Sequence, residues 1–328
     1  MSDPAASFEP YRRRLLGLAY RMLGSMADAE DAVQETYLRW HAAERDRVLD
    51  PKAFLMTTTT RICLDMLSSA RARREEYVGP WLPEPVLDTA ALAPDSRTEL
   101  AEDLSIALLL ILDELSPLER AALLLHDVFD FAFSEVATAL DRSEAACRQL
   151  AARARAHVQE ARPRGATSPP TRSGGIDAKH AQLMSAFAAA TQSGDLNALT
   201  QLLASDVRVV TDGGGKVRAA LNVIDGTDRV AQFLVDVTRK RPDAWWREDF
   251  TVRFATVNGL PGLIVDAPEG PVQTAAFEIE GDVIRALYVV RNPDKLRHLA
   301  VARHESDETR TALAKALKGD QVHPANSK

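Results

Sequence analysis

The sequence has little of what stabilises small secreted proteins, and it has no long hydrophobic run. It contains only two cysteines, Cys63 and Cys147, and their wide separation argues against a disulfide framework or a cysteine-ligated metal site. No apolar run reaches the about 18 residues that a membrane span needs. Met1–Pro10 lacks the basic and apolar parts of a secretion signal. These absences predict a cytoplasmic protein without membrane contact, bound metal or cofactor.

An excess of basic residues, the usual mark of a strongly basic nucleic-acid-binding protein, is also missing. The chain has 40 Lys and Arg residues against 47 Asp and Glu residues, a formal net charge of -7. A negative total still permits local basic patches, so the distribution of charge along the chain matters more. With 328 residues, of which 46% are hydrophobic, the chain is long enough for two or three domains with their own cores.

Residues 7–74 have the apolar periodicity of helices. The pattern predicts helices at Glu9–Leu23, at Ala27–His41 and after Asp50-Pro51. The third helix ends in a basic run, formed by Arg71, Arg73 and Arg74.

Two segments have the composition of linkers. Residues 75–100 are rich in proline and in acidic residues, which favours extended backbone. Residues 163–175 are polar and contain Gly, Ser and Pro, which predicts a flexible joint. We therefore expect flexibly tethered domains. Trp81 stands inside the first, acidic linker, where a solvated spacer rarely needs a tryptophan, so we expect it to dock on another part of the chain.

Residues 101–162 are again helical and contain the clearest constellation in the sequence. A short helix at Ser134–Leu140 precedes a tight turn at Asp141–Ser143, where Asp tolerates a left-handed backbone, and Ser143 is placed to cap a longer helix. This layout is typical of a helix-turn-helix, whose second helix enters the major groove of DNA. The candidate DNA-contacting residues are Arg142, Ser143, Glu144, Arg148, Gln149 and Arg153. Taken alone, the pattern also fits an αα-hairpin with a solvated polar face.

Residues 176–299 combine helices with strand-like runs, which predicts an α+β domain with a curved antiparallel sheet. Helices are expected at Ile176–Ser193, Leu196–Ala204 and Thr227–Lys240. Strands are expected at Val207–Thr211, Val217–Val223, Phe250–Val257, Leu263–Val265, Val272–Ile279 and Val283–Val290. Residues 300–328 form a tail whose polar part, from His304, is expected to be frayed.

The segment Ala27–Trp40 closely resembles region 2.2 of sigma-70-type RNA polymerase sigma factors of the extracytoplasmic-function group. Leu115–Leu125, followed by the helix-turn-helix, looks like region 4 of the same factors. The two resemblances occur in the expected order. They imply two all-α domains, region 2 at 7–74 and region 4 at 101–162, in a factor that binds core RNA polymerase and directs promoter-specific transcription initiation.

The resemblance also implies partners for each domain. Region 2 melts and reads the −10 promoter element and docks on the β′ clamp of polymerase, and region 4 reads the −35 element and docks on the β flap. The candidate clamp-binding residues are acidic: Asp28, Glu30, Asp31 and Glu35. The candidates for holding phosphates of the opened strand are Arg61, Arg71, Arg73 and Arg74. The alternatives are a solvated acidic face and arginines that favour a helix C-terminus.

Three short motifs narrow the resemblance to the subgroup of these factors with a fused C-terminal SnoaL-like domain. One motif lies in the first linker and two lie within 176–299. Their residues are Trp81, Leu82, Pro83, Glu84 and Pro85, then Asp212, Gly213, Gly214, Gly215 and Lys216, and finally Asn292, Pro293, Asp294, Lys295 and Leu296. In that subgroup the extension is taken to control the factor, so no separate anti-sigma protein is expected.

The placement of these motifs predicts an interdomain contact. A bare Trp81 is costly, and Lys216 and Lys295 offer charges complementary to Glu84. We expect the SnoaL-like domain to dock on the linker and to fix the separation of regions 2 and 4. Asn292–Leu296 closes the domain, and we expect it to be easily released and inhibitory.

SnoaL-like folds also include isomerases and cyclases. Four aspartates lie near predicted strand ends and Tyr288 lies on the last strand, and an Asp base with a Tyr donor is ketosteroid-isomerase chemistry. The aspartates are Asp206, Asp212, Asp225 and Asp266. Nothing in their spacing brings them together, and such aspartates are usually turn residues, so no catalytic residue is assigned. The alternative function is a DNA-binding regulator whose C-terminal domain is a small-molecule sensor or an isomerase-like enzyme.

Overall fold

The computed structural model describes residues 3–75, 77–87, 92, 100, 103–161, 178–240 and 249–299. Within 69–75 it describes the backbone alone. The predicted joint at 163–175 and the predicted tail at 300–328 therefore lie outside the described residues. No helix in the described part of the chain is long and apolar enough to cross a membrane.

Region 2 has three helices, and capping residues separate the first two. The helices are α1 (Pro4–Leu23), α2 (Met26–Ala42) and α3 (Pro51–Glu75). Gly24 ends α1 with a left-handed backbone, φ 70°, which glycine adopts without a Cβ penalty. Ser25 then caps α2, because its hydroxyl accepts a hydrogen bond from the amide of Asp28 at 3.1 Å.

Region 4 contains the predicted helix-turn-helix. Its helices are α4 (Ile106–Glu114), α5 (Pro117–Leu123), α6 (Phe133–Leu140) and α7 (Glu144–Ala161). Asp141 joins α6 to α7 with a left-handed backbone, φ 53°, as its residue type predicts. The hydroxyl of Ser143 accepts a hydrogen bond from the amide of Ala146 at 3.2 Å, so Ser143 caps α7. The helix-turn-helix prediction is confirmed at the level of the backbone.

Regions 2 and 4 are packed against each other, which the expectation of separately placed domains did not include. Residues 88–91 and 93–99 of the linker between them lie outside the described residues. Helix α3 packs against α6, and α1 packs against α4 and α5. One continuous hydrophobic core contains large side chains from both regions, among them Trp40, Leu55, Leu112 and Phe129. The composition of the linker predicts only the backbone conformation of the linker itself. It does not reveal that the apolar faces of α3 and α6 bury each other.

The C-terminal domain has the predicted α+β composition. Its helices are α8 (Ala178–Ser193), α9 (Leu196–Leu202), α10 (Thr227–Lys240) and α11 (Pro293–Leu296). Its strands are β1 (Leu203–Asp212), β2 (Ile224–Asp225), β3 (Thr251–Val257), β4 (Leu260–Ala267), β5 (Gly270–Glu280) and β6 (Val283–Val290). The bounds of α10 agree with the predicted bounds.

The sheet has the strand order β2-β1-β6-β5-β4-β3. Strands β3 to β6 form an antiparallel meander, whereas β1 runs parallel to β6. The sheet is therefore mixed, and the prediction of a wholly antiparallel sheet is corrected. The reason is topological, because the last strand of the meander returns beside β1 in the same direction.

One predicted strand of this domain is not formed, and one predicted helix ends two residues early. Val217–Val223 is not a strand, because Thr211 of β1 holds it by a side chain in place of a main-chain ladder. The Thr211 hydroxyl bonds to the amide of Ala220 at 2.7 Å and to its carbonyl at 3.2 Å. The helix expected to continue through Ala204 ends at Leu202, because Leu203 already pairs with Ile284 of β6.

The two faces of the sheet have different neighbours. On the inner face, Val209, Phe277 and Leu287 form a core with α8 and α10. On the outer face, Tyr288 and its apolar neighbours pack against Leu82 of the linker and Ile106 of α4. The outer face is thus the surface on which the linker and region 4 rest.

Candidate interdomain hub and nucleic-acid interfaces

The three sequence motifs meet at one buried carboxylate, that of Asp212 at the end of β1. Its Oδ1 accepts a hydrogen bond from the Tyr77 hydroxyl at 2.5 Å. Its Oδ2 accepts from the amide of Leu82 at 2.9 Å and from Nζ of Lys295 at 2.7 Å. Asp212 has no solvent exposure, so these partners must compensate its charge. We call Tyr77, Leu82, Asp212, Asn292 and Lys295 the hub.

Lys295 carries the positive charge of the hub and is buried against the linker. Its Nζ also donates to the carbonyl of Leu82 and lies 4.3 Å from the centroid of the Trp81 ring. A cation over an aromatic face contributes about 2 kcal/mol when it is desolvated. The Trp81 ring also packs against Gly24, where a Cβ atom would lie 2.4 Å from the ring. The expected docking of Trp81 is confirmed, and its contacts reach the C-terminal domain and region 2.

Asn292 and the glycine turn complete the hub. The Asn292 amide nitrogen donates to the Tyr77 hydroxyl at 2.9 Å, and its side-chain oxygen caps α11 by accepting from the amide of Asp294 at 3.1 Å. Gly214 has a φ of 59°, and a Cβ atom there would lie 2.2 Å from the Asn292 amide, so the turn requires glycine. Burial, reinforced by the Asp212 carboxylate, raises the pKa of Tyr77.

The expected ion pairs of Glu84 with Lys216 and Lys295 are absent, and that prediction is wrong. Glu84 accepts hydrogen bonds from the Ser25 hydroxyl and the Met26 amide, both at 2.8 Å. A carboxylate is favourable there because the first turn of α2 presents free amides and a positive dipole end. Lys216 instead pairs with Asp294 in its own domain, on the exposed surface. The charge of Glu84 in the sequence does not reveal whether its partner is a lysine side chain or the N-terminus of a helix.

The segment Asn292–Leu296 is not a loose end, contrary to the expectation that it is easily released. Asn292, Lys295 and Leu296 are all buried. Leu296 belongs to the outer-face cluster that contains Leu82 and Ile106. Because its polar and apolar groups are both engaged, the segment fastens the domain to the linker.

Asn258 is an interdomain contact residue that the sequence does not reveal. It lies in the Asn-Gly turn between β3 and β4 with a left-handed φ of 50°. Its amide nitrogen donates to the Tyr20 hydroxyl at 2.7 Å and to the carbonyl of Leu104 at 3.4 Å. Its side-chain oxygen accepts from the amide of Val86 at 3.1 Å. One buried side chain therefore joins region 2, the linker and the start of region 4. The Asn-Gly dipeptide signals a hairpin turn but does not reveal these contacts.

Three further groups fix the linker backbone. The Tyr20 hydroxyl donates to the carbonyl of Glu84 at 2.7 Å, and the guanidinium of Arg21 donates to the carbonyl of Leu92 at 3.0 Å. Burial lowers the pKa of Arg21 to about 10, so Arg21 stays charged at neutral pH. His298 lies 2.7 Å from the carbonyl of Pro85. The linker is thus held from both sides, by α1 and by the end of the C-terminal domain.

The candidate DNA-contacting residues of region 4 lie together on one open surface. Arg148 lies above the ring of Phe133 and pairs with Glu144 at 2.6 Å. Arg153 lies 3.7 Å from Glu119. The following residues are all exposed: Arg142, Ser143, Glu144, Arg148, Gln149 and Arg153. This surface is sterically available to a major groove.

The candidate DNA-contacting residues of region 2 are placed differently. Arg61 donates to the carbonyl of Ala139 at 3.0 Å and to that of Thr138 at 2.7 Å, so its guanidinium caps the last turn of α6. The side chains of Arg71, Arg73 and Arg74 lie outside the described residues. On α2, Glu30 and Asp31 are exposed, and Asp28 and Glu35 are half-buried. Glu35 pairs with Arg39 at 3.0 Å. The acidic face therefore remains accessible while Arg61 is engaged by region 4.

The groups considered for catalysis do not converge. Asp212 belongs to the hub, and the Tyr288 hydroxyl donates to Glu278 at 3.0 Å on the outer face. Each remaining aspartate has a basic partner: Asp206 with Arg285, Asp225 with Arg208 and Asp266 with Arg253. None of these four aspartates faces the Tyr288 hydroxyl. They therefore do not form the Asp–Tyr arrangement of ketosteroid-isomerase chemistry.

Comparison with known proteins agrees with this architecture. Residues 8–73 match the family model of sigma-70 region 2, and residues 105–158 match the model of sigma-70 region 4. These spans cover most of α1 to α3 and of the helix-turn-helix. They define the chain as a protein of the sigma-70 class.

Relatives that match most of the chain identify the group within the sigma-70 class to which it belongs. The chain is 38% identical to the ECF RNA polymerase sigma factor SigJ of Mycobacterium tuberculosis, over 88% of this chain and 92% of SigJ. It is 30% identical to the probable ECF RNA polymerase sigma factor SigI of the same organism, over 90% of this chain and 95% of SigI. The crystal structure of M. tuberculosis SigJ matches with a TM-score of 0.66 and 33% identity, over 89% of this chain and 97% of that chain. The chain belongs to the extracytoplasmic-function RNA polymerase sigma factors.

Proposed function

We propose that this chain binds core RNA polymerase, directs promoter-specific initiation, and is held in a closed, inactive arrangement by its own C-terminal domain. The single observation that carries the regulatory part is the position of Asn258. Its amide bonds region 2, the linker and region 4 at once. A domain that grips all three segments stabilises whichever separation of regions 2 and 4 its contacts fit.

Regions 2 and 4 are in direct contact in this structure, whereas the promoter elements that they read lie apart on the DNA. The names of the −10 and −35 elements give nominal positions about 25 base pairs apart, which is roughly 85 Å at the rise of 3.4 Å per base pair. In this structure Arg61 of region 2 bonds directly to the carbonyls of α6 in region 4. The two regions must part before both elements are read, so the closed arrangement is inhibitory.

The proposed roles of the side chains follow from this arrangement. Arg148 and Gln149 read base edges of the −35 element, with Arg142, Ser143, Glu144 and Arg153 beside them. The acidic face of α2 binds the polymerase clamp. Arg61 holds phosphates of the opened −10 strand together with Arg71, Arg73 and Arg74, after it leaves α6. Arg61 thus stabilises the closed arrangement and contacts DNA once the two regions have separated.

The C-terminal domain takes the place of a separate anti-sigma protein in this proposal, and it acts as a regulator and not as an enzyme. Its hub binds the linker by main-chain and side-chain contacts that a second protein would otherwise supply. We place the protein in the cytoplasm, because its proposed partners are polymerase and promoter DNA.

Run-off transcription with core polymerase tests this function. The intact chain is expected to initiate weakly, and a chain that ends at Arg291 is expected to initiate more strongly, because it lacks Asn292, Lys295 and Leu296. Trp81→Ala should change activity without altering promoter preference. Tight binding of the intact chain to a unique duplex without polymerase would contradict the sigma role. Equal transcription by all three proteins would contradict the regulatory role.

A further inference from the structure

The C-terminal domain contains an apolar cavity that the hub does not use. It has a volume of about 190 Å³ and lies between the inner face of the sheet and α10. Its walls are Val209, Leu287 and Val289 on the sheet, with Phe233, Leu234 and Val237 on the helix. A buried apolar cavity of about 150 Å³ accommodates benzene. The space therefore fits a compact apolar body of about one six-membered ring.

The charged residues that line the cavity are both basic, Arg218 and Arg291. Arg291 donates to the main-chain carbonyl of Arg218 at 2.6 Å, which draws the two residues to the same side of the cavity. Arg218 is exposed, and within the described ranges its guanidinium has no carboxylate partner in an ion pair. Guanidinium groups bind carboxylates through charge-assisted hydrogen bonds. The lining therefore favours an anionic head on the apolar body.

The cavity is connected to the hub through two chain neighbours. Thr211 and Arg291 both line the cavity, and the residues that follow them are Asp212 and Asn292 of the hub. The carbonyl of Asp212 accepts hydrogen bonds from the amide of Arg291 at 2.7 Å and from that of Asn292 at 3.0 Å. A molecule that moves Thr211 or Arg291 therefore shifts groups that hold Tyr77 and Leu82.

We propose that this cavity binds a small monocarboxylate with a compact apolar body, and that its occupancy changes the grip of the hub on the linker. The coupling rests on the proposed regulatory function, whereas the binding site does not. A ligand shifts an arrangement only by its difference in affinity between the two states. The geometry at Thr211 and Arg291 supplies such a difference, because undocking releases Asp212 and Asn292 from their linker partners.

Titration calorimetry of the full chain with benzoate and with benzamide tests the site. Benzoate is expected to bind saturably and about tenfold tighter than its neutral isostere. Arg218→Gln, at an exposed position, should bring benzoate to the level of benzamide. Val237→Phe should fill the cavity and abolish binding, while Val223→Phe, at an exposed position outside it, should not. Absence of benzoate binding up to about 10 mM, or equal binding of the two probes, would overturn the site.

Hydrogen exchange tests the coupling separately. Benzoate is expected to change the protection of the amides of residues 77–87 several-fold, including the Leu82 amide, which donates a hydrogen bond to Asp212. The protection of α7 should stay unchanged. Binding without any change in 77–87 would overturn the coupling. Failure of the regulatory function itself would appear elsewhere, in unchanged transcription by the chain ending at Arg291 and by Trp81→Ala without any benzoate present.

Discussion

Two contacts hold the domains of this chain together in the structure, and they differ in chemistry. Regions 2 and 4 meet through a shared apolar core, supplemented by arginines that bond main-chain carbonyls. The linker meets the C-terminal domain through a buried polar network around Asp212. Apolar packing tolerates repacking, whereas a buried charge loses its compensation when one partner is removed. The hub should therefore be the more sensitive of the two contacts to single substitutions.

The largest effect is expected from Asp212→Asn. The change leaves Lys295 buried without its counter-charge, and breaking a buried ion pair costs about 3–5 kcal/mol. Chemical denaturation should show this loss for the docked C-terminal domain, and promoter activity should rise. The matched control is Asp294→Asn, which removes two exposed pairs, with Lys216 and with Arg297, and should cost about 0–1 kcal/mol for each. Equal losses in the two variants would mean that burial does not set the strength of the hub.

A double-mutant cycle sharpens that result. Lys295→Met alone should destabilise docking strongly, because Asp212 is then left buried and charged. Asp212→Asn combined with Lys295→Met should be less destabilising than the sum of the two single changes, since no uncompensated charge remains. Denaturation midpoints of the four proteins give the coupling free energy. Simple additivity would show that the two side chains do not act as a pair.

Tyr77→Phe should have an intermediate effect. It removes one hydrogen bond to Asp212 and one from Asn292, and unsatisfied buried polar groups cost about 1–3 kcal/mol. Because docking raises the pKa of Tyr77, its contribution is complete below the ordinary tyrosine pKa of about 10 and is lost as pH rises through the raised value. The difference between wild type and variant should be constant from about pH 6 to 9. A difference that vanishes within that range would contradict the assigned protonation state.

The smallest effect on stability is expected on the exposed recognition helix. Arg148→Ala removes a surface pair with Glu144 and a cation–π contact with Phe133 and should cost about 1 kcal/mol of stability. In transcription with polymerase, the same change should cost about 1–3 kcal/mol and relax preference at one upstream promoter position. Promoter-library sequencing measures both. A loss that is uniform over all sequences would make Arg148 a phosphate contact.

Much of this architecture is readable from the sequence, and the errors have physical reasons. Local signals succeeded: Asp141 and Ser143 predict the turn and the cap of the helix-turn-helix, and the position of Trp81 predicts docking. Long-range partners failed, because a charge such as that of Glu84 specifies a sign and not a location. The strand predicted at Val217–Val223 failed since hydrophobicity does not reveal that Thr211 would replace the main-chain ladder.

Asn258 illustrates the same limit from the other side. Its neighbour Gly259 identifies a hairpin turn, and the sequence contains nothing that ties this turn to Tyr20, Val86 or Leu104. Those contacts arise only when the outer face of the sheet settles on the linker. The three sequence motifs predict the contacts around Asp212, whereas the contacts of Asn258 depend on how the domains pack.

The distance between regions 2 and 4 in the full chain tests the regulatory proposal most directly. Fluorescent labels on cysteines introduced at Gln34 of α2 and Gln159 of α7, both exposed, should give efficient energy transfer, and the native Cys63 and Cys147 are buried. Asn258→Gly keeps the left-handed turn and removes the amide that joins three segments, whereas Asn222→Gly alters an exposed asparagine as a control.

We predict that Asn258→Gly lowers the transfer efficiency as regions 2 and 4 separate towards the roughly 85 Å spacing of the promoter elements, while Asn222→Gly leaves it unchanged. The same opening is expected in the chain that ends at Arg291. Transfer that stays high in both Asn258→Gly and the shortened chain would contradict the proposal, because regions 2 and 4 would then remain closed without the C-terminal domain.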